Sequence, residues 1–289
     1  MRAVPPCGPS RSRPAGPSSR SASRRQARTE YLGPLVVFAG FIGLWYLLSG
    51  WAIDSVFAKP SFLMPPPHRV IAAGFLDNSM IRGQMLQAVW LSAQVAFLGL
   101  AIAIVAGMCL AVLMSRARWI ERSLYPYAVA LQAVPILAFV PLIGSFFGFD
   151  FSARVIVCVV ISIFPIIANT LFGLLSAESG QHDLFTLHDA SRRQRLLKLQ
   201  VPSALPSIFT GLRISAGLAV IGAVVGDFFF RQGQPGIGRL IDVYRSRNDN
   251  AEMFAAVLLA ATLGIVVFWL FGGLGRRAVR RWHESTGQR

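Results

Sequence analysis

Residues 183–230 read DLFTLHDASRRQRLLKLQVPSALPSIFTGLRISAGLAVIGAVVGDFFF. A short amphipathic, basic segment meets two prolines, Pro202 and Pro206, and passes directly into a long apolar run. Ser191 followed by Gln194 has the pattern of a capping box, in which hydroxyl and amide satisfy free backbone donors at a helix start. The spacing predicts a helix from there through Leu199, ending before Pro202. Leu196, Leu197 and Leu199 form its apolar side; Arg192, Arg193, Arg195 and Lys198 form its charged side. Upstream, Leu184, Phe185, Leu187 and His188 form a second apolar patch, and Asp189-Ala190 supply a turn. Such a segment either rests on anionic lipid or docks a soluble partner that pushes on the span behind it. Phe185, an aromatic in a polar loop, is the expected anchor for a partner's pocket.

Composition sets the class around this stretch. Of the 289 residues, 54% are hydrophobic and only 14% charged, against roughly a quarter charged in soluble domains. Apolar runs at about 33–52, 87–114, 123–148, 153–177, 206–230 and 252–273 are each long enough to cross a bilayer. The chain is therefore expected to be an all-α integral membrane protein with about six transmembrane helices. The net charge of +15 could suggest nucleic acid. The basic residues lie between apolar runs, however, so membrane topology accounts for them and no nucleic-acid partner is expected.

With the N-terminus inside, 19 of the 28 basic residues fall in cytoplasmic segments. Eight fall outside: Lys59, Arg69, Arg82, Arg154, Arg231, Arg239, Arg245 and Arg247. Arg213, inside the fifth span, completes the count. This bias predicts cytoplasmic N- and C-termini. Residues 1–30, rich in Ser, Pro and Arg, are expected to be a disordered basic tail. The pair Arg24-Arg25 could belong to a secretion signal, but the later spans favour an uncleaved tail. Residues 31–80 hold the first span and an outer loop. Residues 81–275 hold the membrane domain proper, with 178–205 as its cytoplasmic loop, and 276–289 form a second basic tail.

Small residues recur every four positions in two spans: Gly99, Ala103, Gly107 and Ala111 in one, Gly211, Ser215, Ala219 and Ala223 in the other. In lipid such stripes let helices approach closely. Pro135, Pro141 and Pro165 remove backbone donors within the third and fourth spans, and kinks or half-helices beside a pathway would follow. Gln132, Ser162, Asn169, Thr170 and Ser215 are the polar residues at span depth that could line such a route. Asp227 and Arg213 are ionisable groups within or beside the fifth span, and groups of this kind default to functional roles, direct solute contact among them.

Several chemistries find no support. The four histidines are scattered, the three cysteines lack metal or disulfide spacing, and no cofactor is expected. Neither Lys59 nor Lys198 sits in a Gly-x-x-x-x-Gly-Lys-Ser/Thr loop, so nucleotide hydrolysis would have to come from another polypeptide. Convergent catalytic groups at membrane depth are missing, which argues against an intramembrane enzyme. A secondary transporter, working without an ATPase, is the alternative, but no internal repeat is evident.

The run VPSALPSIFTGLRISAGLAVIGAVVGDF (201–228) resembles the permeases of binding-protein-dependent ABC importers, nearest to the nitrate, sulfonate and taurine branch. FLMPPPHRV (62–70), AVPILAFVPLI (133–143), FFGF (146–149), FPIIANT (164–170) and PGIG (235–238) match in the same order, so the similarity covers about 60–282. The resemblance implies a type I importer fold, two permease chains as a homodimer, two cytoplasmic ATPases and an external solute-binding protein. In that family a Glu-Ala-Ala motif with a later Gly marks the ATPase-coupling loop. Its positions fall here on Asp183, Leu184, Phe185 and Asp189, followed by Ala190, Ser191 and Arg192. The Gly is replaced by Asp189, which tolerates a left-handed turn better than most residues. Pro206, Gly211, Arg213 and Asp227 fall at positions with structural or gating roles. The branch serves small anions such as sulfonates and nitrate, and heterocyclic vitamin precursors.

Overall fold

A computed structural model describes residues 19–52, 63–230 and 232–280. Helices account for the regular structure, and no strand occurs among the described residues. The chain divides into two units, 1–67 and 68–289.

In the first unit, α1 (Ser19–Leu47) continues through a π-helical turn, Leu48–Ala52. Its apolar section, Leu32–Gly50, is long enough to cross a membrane. Within the tail expected to be disordered, residues 19–30 are helical. The reason lies in the composition: the last proline of the tail is Pro17, and Ala, Arg and Gln beyond it are good helix formers. Residues 1–18 of that tail lie outside the described residues.

The boundary falls at the first residue of α2 (Pro67–Ile71); a π turn follows, then α3 (Ser79–Ser115), whose start is capped by Asn78 accepting from the Met80 N–H at 2.9 Å. After it come α4 (Arg118–Ala133) and α5 (Ile136–Phe147), then α6 (Phe151–Leu175). Two short helices follow, α7 (Ser179–Leu187) and α8 (Arg192–Arg195). The long α9 (Val201–Phe229), α10 (Ile237–Arg247) and α11 (Asn250–Arg280) complete the chain. Five helical stretches are long and apolar enough to span a membrane, and six if the bent pair α4–α5 is one span.

α6 is the centre of this unit, held between α3 and α9. Both small-residue stripes point at it. On α3, a Cβ at Gly99 would collide with the Cβ of Cys158, and one at Gly107 would sit 3.0 Å from Ile166. On α9, a Cβ at Gly211 would lie 2.7 Å from the Pro165 carbonyl, and one at Gly222 would lie 2.9 Å from the Cα of Cys158. Ala103, Ala111, Ala219 and Ala223 are fully buried in the same seams. Dispersion contact at backbone distance is what holds helices together in lipid, and larger side chains would forfeit it.

The prolines act unequally. Pro135 separates α4 from α5 by a 98° bend. Val134 before it is extended (φ −65°, ψ 128°), since a following proline disfavours the helical region. Pro141 and Pro165 stay inside α5 and α6, contrary to the expectation of breaks there. Their carbonyls instead accept side-chain bonds, from Ser145 Oγ at 3.0 Å and Asn169 Nδ2 at 2.8 Å. Pro202 and Pro206 do not stop the helix either: residues 192–229 form one continuous stretch. A π turn at Leu196–Gln200 precedes Pro202, with the Val201 N–H bonded to the Leu196 carbonyl. That wider turn takes the Lys198 carbonyl out of the α ladder, where the proline ring would strike it and leave it without a donor.

Candidate functional site

Two polar regions stand out, at opposite ends of α9. At its start, α7 and α8 are joined by a tightly specified corner. The Ala190 N–H bonds the Phe185 carbonyl (3.0 Å) and the Asp189 N–H bonds the Thr186 carbonyl (3.1 Å). These are the paired bonds of a Schellman ending, which needs a left-handed residue at the bend. Asp189 supplies it, with φ 49°. Ser191 then caps α8 through the full reciprocal box: its Oγ accepts from the Gln194 N–H, and Gln194 Oε1 accepts from the Ser191 N–H at 2.9 Å. Arg195 Nη2 donates to Thr186 Oγ1 at 2.9 Å and ties the two helices together.

The exposed surface of this corner is apolar. Leu187 is 82% and Leu184 54% exposed, whereas Phe185 is half-buried. The expectation that Phe185 is the uncovered anchor is therefore corrected: the helical register turns the two leucines outward and Phe185 toward the corner. Asp183, Asp189, Ser191 and Arg192 are exposed, and Ala190 is half-buried.

At the other end of α9, Asp227 is fully buried and meets Arg154 of α6, itself 1% exposed, at 3.0 Å. Arg154 Nη1 also donates to the Gln234 carbonyl (3.1 Å). Its Nη2 donates to the carbonyls of Phe230 (3.1 Å) and Gln232 (2.7 Å). Ser92 of α3 donates to the second Asp227 oxygen and accepts from the Ile237 N–H at 2.8 Å. Three spans and the start of α10 thus meet in one network. The sequence PGIG fits because no side chain is possible there. A Cβ on Gly236 would fall on the Asp227 carboxylate, and one on Gly238 on the Val224 carbonyl.

Arg154 and Ser92 were not among the sequence candidates. Arg154 is counted above as an outer-loop charge, but it lies three residues inside α6 and is buried. A charge that deep in an apolar run was the available signal, since such groups seek a partner. Arg213 lies exposed over the Phe268 ring at 4.0 Å and next to Gly272, and so fastens α9 to α11 through a cation–π contact. Pro206 is half-buried, and its carbonyl accepts from Thr210 Oγ1 (2.9 Å). Gly211 is pressed against α6.

The polar pathway candidates separate into two groups. Ser215 Oγ donates to the Ser162 carbonyl, and Ser162 Oγ to the Cys158 carbonyl, both at 2.6 Å. Both serines are fully buried; the Ser215 hydroxyl joins α9 to α6, the Ser162 hydroxyl closes on its own helix, and neither faces an open route. Thr170 is buried too, and its hydroxyl has no partner. Gln132 is exposed on α4 just before the 98° bend, and Asn169 is half-buried on α6.

Beside the Arg154–Asp227 network a cavity of about 510 Å³ opens between α3 and α10, its mixed lining including Gln84, Gln87, Leu240, Val243, Tyr244 and Arg247. Tyr244 is 5% exposed and its hydroxyl lacks a partner. Burial, then the nearby Glu252, push that hydroxyl above its usual titration range, so it remains a donor. No group of His, Cys, Asp and Glu able to hold a metal occurs among the described residues.

Comparison with known proteins gives these elements a context. The family model described as binding-protein-dependent transport system inner membrane component matches residues 99–280. The formylaminopyrimidine transport permease protein ThiX of Halalkalibacterium halodurans is 34% identical over 220 residues, 75% of this chain and 85% of that protein. The riboflavin transport system permease protein RibX of Chloroflexus aurantiacus is 32% identical over 247 residues, 84% and 90% of the two chains. Among solved structures, the inward-facing MetNI methionine ABC transporter superposes with a TM-score of 0.60 at 19% identity, covering 71% of this chain and 98% of that one. The likeness to that structure supports the fold, a type I importer permease. The chain belongs to the inner-membrane components of binding-protein-dependent transport systems, the permease subunits of ABC importers.

Proposed function

We propose that this permease forms, with a second copy of itself, the route for a small heterocyclic or anionic solute. A binding protein delivers the solute on one side of the membrane and a separate ATPase drives its passage from the other. The observation that carries the coupling assignment is the corner at 178–205: a helix pair joined by a Schellman ending and a capping box, whose outward face is two uncovered leucines, Leu184 and Leu187. A backbone so well satisfied holds its shape while presenting apolar surface, which is what a pocket on a partner needs.

The orientation that fits places this corner and both termini in the cytoplasm. Removing buried Arg154 from the eight outer charges leaves seven and strengthens the inside bias. The route itself is assigned to the face carrying the α4–α5 bend, with Gln132 at the bend and Asn169, which packs against Gly211 of α9, as its polar contributions. Exposed Leu137 and Phe139 on the same stretch would be covered by the second copy. Heterocyclic solutes are favoured over strongly charged ones, because these two residues carry amides rather than fixed charge. The named solutes of the relatives, a formylaminopyrimidine and riboflavin, are of this kind.

Co-expression with candidate ATPases tests the coupling assignment. The purified chain alone should not hydrolyse ATP, and the cognate ATPase should co-purify with it. Robust hydrolysis by the isolated chain would overturn the assignment. For the solute, a thermal-shift screen on the partner binding protein should show stabilisation by pyrimidine- or flavin-like compounds or by small organic anions. Stabilisation by sugars or peptides alone would show the solute class to be wrong while leaving the importer reading intact.

A further inference from the structure

A cavity of about 270 Å³ lies on the inner side of the α7–α8 corner, where the end of α3 meets it. It is lined by Ser115 and Arg116 at the end of α3, His182 of α7, Arg192 and Arg195 of α8, and Gln200 in the following π turn. Three arginines from two elements, the end of α3 and α8, therefore line it together, and no carboxylate does. Among the described residues none of the three arginines forms an ion pair. Arg195 is held in place through Thr186, whose hydroxyl in turn donates to the His182 carbonyl at 2.8 Å, and the Arg195 Nε is shut from solvent without an acceptor.

We infer that this cavity is a binding site for a phosphate group, carried by an anionic lipid headgroup or by a soluble phosphate ester. Arginine stays charged at any accessible pH, so three of them lining one small cavity, Arg116 and Arg192 exposed and Arg195 half-buried, make it favourable for an anion. A planar guanidinium presents parallel N–H donors that match phosphate oxygens in pairs. With at least three acceptor oxygens and up to two charges, a phosphate can engage all three arginines, whereas one carboxylate offers only two oxygens. Gln200 adds a neutral donor, while the Ser115 hydroxyl is already donated to the Val112 carbonyl at 2.8 Å.

A protein partner's acidic side chain is the competing occupant, and the helix register argues against it. Successive residues of a helix are about 100° apart, so Leu184 and Leu187 lie on the face of α7 opposite His182. The apolar docking face and the basic cavity therefore point in different directions. A phosphate in the cavity would bridge the end of α3 to α7 and α8 and brace the corner from behind.

Full-length protein in nanodiscs provides the test, with Arg116→Gln, Arg195→Gln and the double variant beside the parent. In the lipid arm, native mass spectrometry after release from nanodiscs containing phosphatidylglycerol should show one retained lipid per chain. In the soluble arm, nanodiscs of phosphatidylcholine alone are titrated with inorganic phosphate and followed by melting temperature. Retention or stabilisation in either arm supports the site and identifies its source. Each single variant should weaken that binding about tenfold, from loss of a charge-assisted bond. Arg195→Lys keeps the charge and should recover only part of it. Melting temperature without ligand checks that the variants fold. Binding in neither arm, or binding unchanged in the double variant, overturns the proposal. So does loss of ATPase co-purification in the double variant without any phosphate effect, which would assign the cavity to the protein partner.

Discussion

The two ends of α9 handle polarity in opposite ways. At Asp227, charge is buried and each carboxylate oxygen has a partner within the chain: Arg154 on one, Ser92 on the other, with the Phe230, Gln232 and Gln234 carbonyls taking Nη donors of Arg154 and its Nε alone left without an acceptor. At the α7–α8 corner the backbone is equally well satisfied, but side chains are not: leucines face outward and arginines lack counter-ions. A region whose groups are internally matched needs no partner to be stable. One whose backbone is matched and whose side chains are not is a rigid platform awaiting something else. The difference separates residues whose loss should unfold the protein from residues whose loss should disconnect it.

The largest effect is expected at the closed end. Arg154→Met should destabilise the protein by about 3–5 kcal/mol, because Asp227 would remain as a buried charge without its counter-ion. Thermal unfolding in detergent, and the yield of folded permease, measure this. The double variant Arg154→Met with Asp227→Leu should recover most of the loss, since it removes both charges at once. If the single variant melts with the parent, the network is not holding the spans together. Next in size is Gly238→Ala, about 1–3 kcal/mol by the same measurement, because the added methyl would meet the Val224 carbonyl. A neutral result would mean that α10 can shift away from α9 at little cost.

The sequence revealed the open end more fully than the closed one, and the reason is range. A capping box joins residues three apart, so Ser191 and Gln194 announce it locally. The left-handed bend at Asp189 is legible for the same reason. The membrane class and the span count rest on continuous apolar length, which is also a local quantity. Arg154 and Asp227 are 73 positions apart, and Ser92 and Asp227 135 apart. No spacing rule links them, so Arg154 looked like a loop charge and Asp227 like a lone acid. Ser162 and Ser215 were misjudged for the same reason: a small polar residue in a span can line water or join helices, and only the neighbouring helix decides. The family motifs located PGIG without explaining it; the carboxylate lying against Gly236 does.

At the open end, Leu187→Asp should leave the melting temperature nearly unchanged, within about 0.5 kcal/mol, as for other exposed positions. Recovery of the co-expressed ATPase should nevertheless fall about tenfold or more, if the leucines anchor in its pocket. Leu184→Asp should behave alike, while Phe185→Asp should also lower stability because that ring is half-buried. Full ATPase recovery with both leucine variants would place the docking surface elsewhere on the molecule.

The smallest effect sharpens the comparison most, because it concerns a position where open and closed demands coincide. Asp189 holds a left-handed conformation at φ 49° to complete the Schellman ending, at a site where glycine carries no Cβ penalty. Asp189→Gly should therefore stabilise the corner by about 0.5–1 kcal/mol relative to Asp189→Ala, which keeps the Cβ but loses the polar side chain that eases this conformation. Local hydrogen exchange at the Asp189 and Ala190 amides is the suitable measurement, since both donate the bonds that define the bend. Slower exchange in the glycine variant than in the alanine variant is expected, with global melting hardly moved. If alanine protects these amides as well as glycine does, the bend is imposed by the packing of α8 rather than by the residue at its apex. The rigidity of the platform would then come from the Thr186–Arg195 bond and the capping box instead.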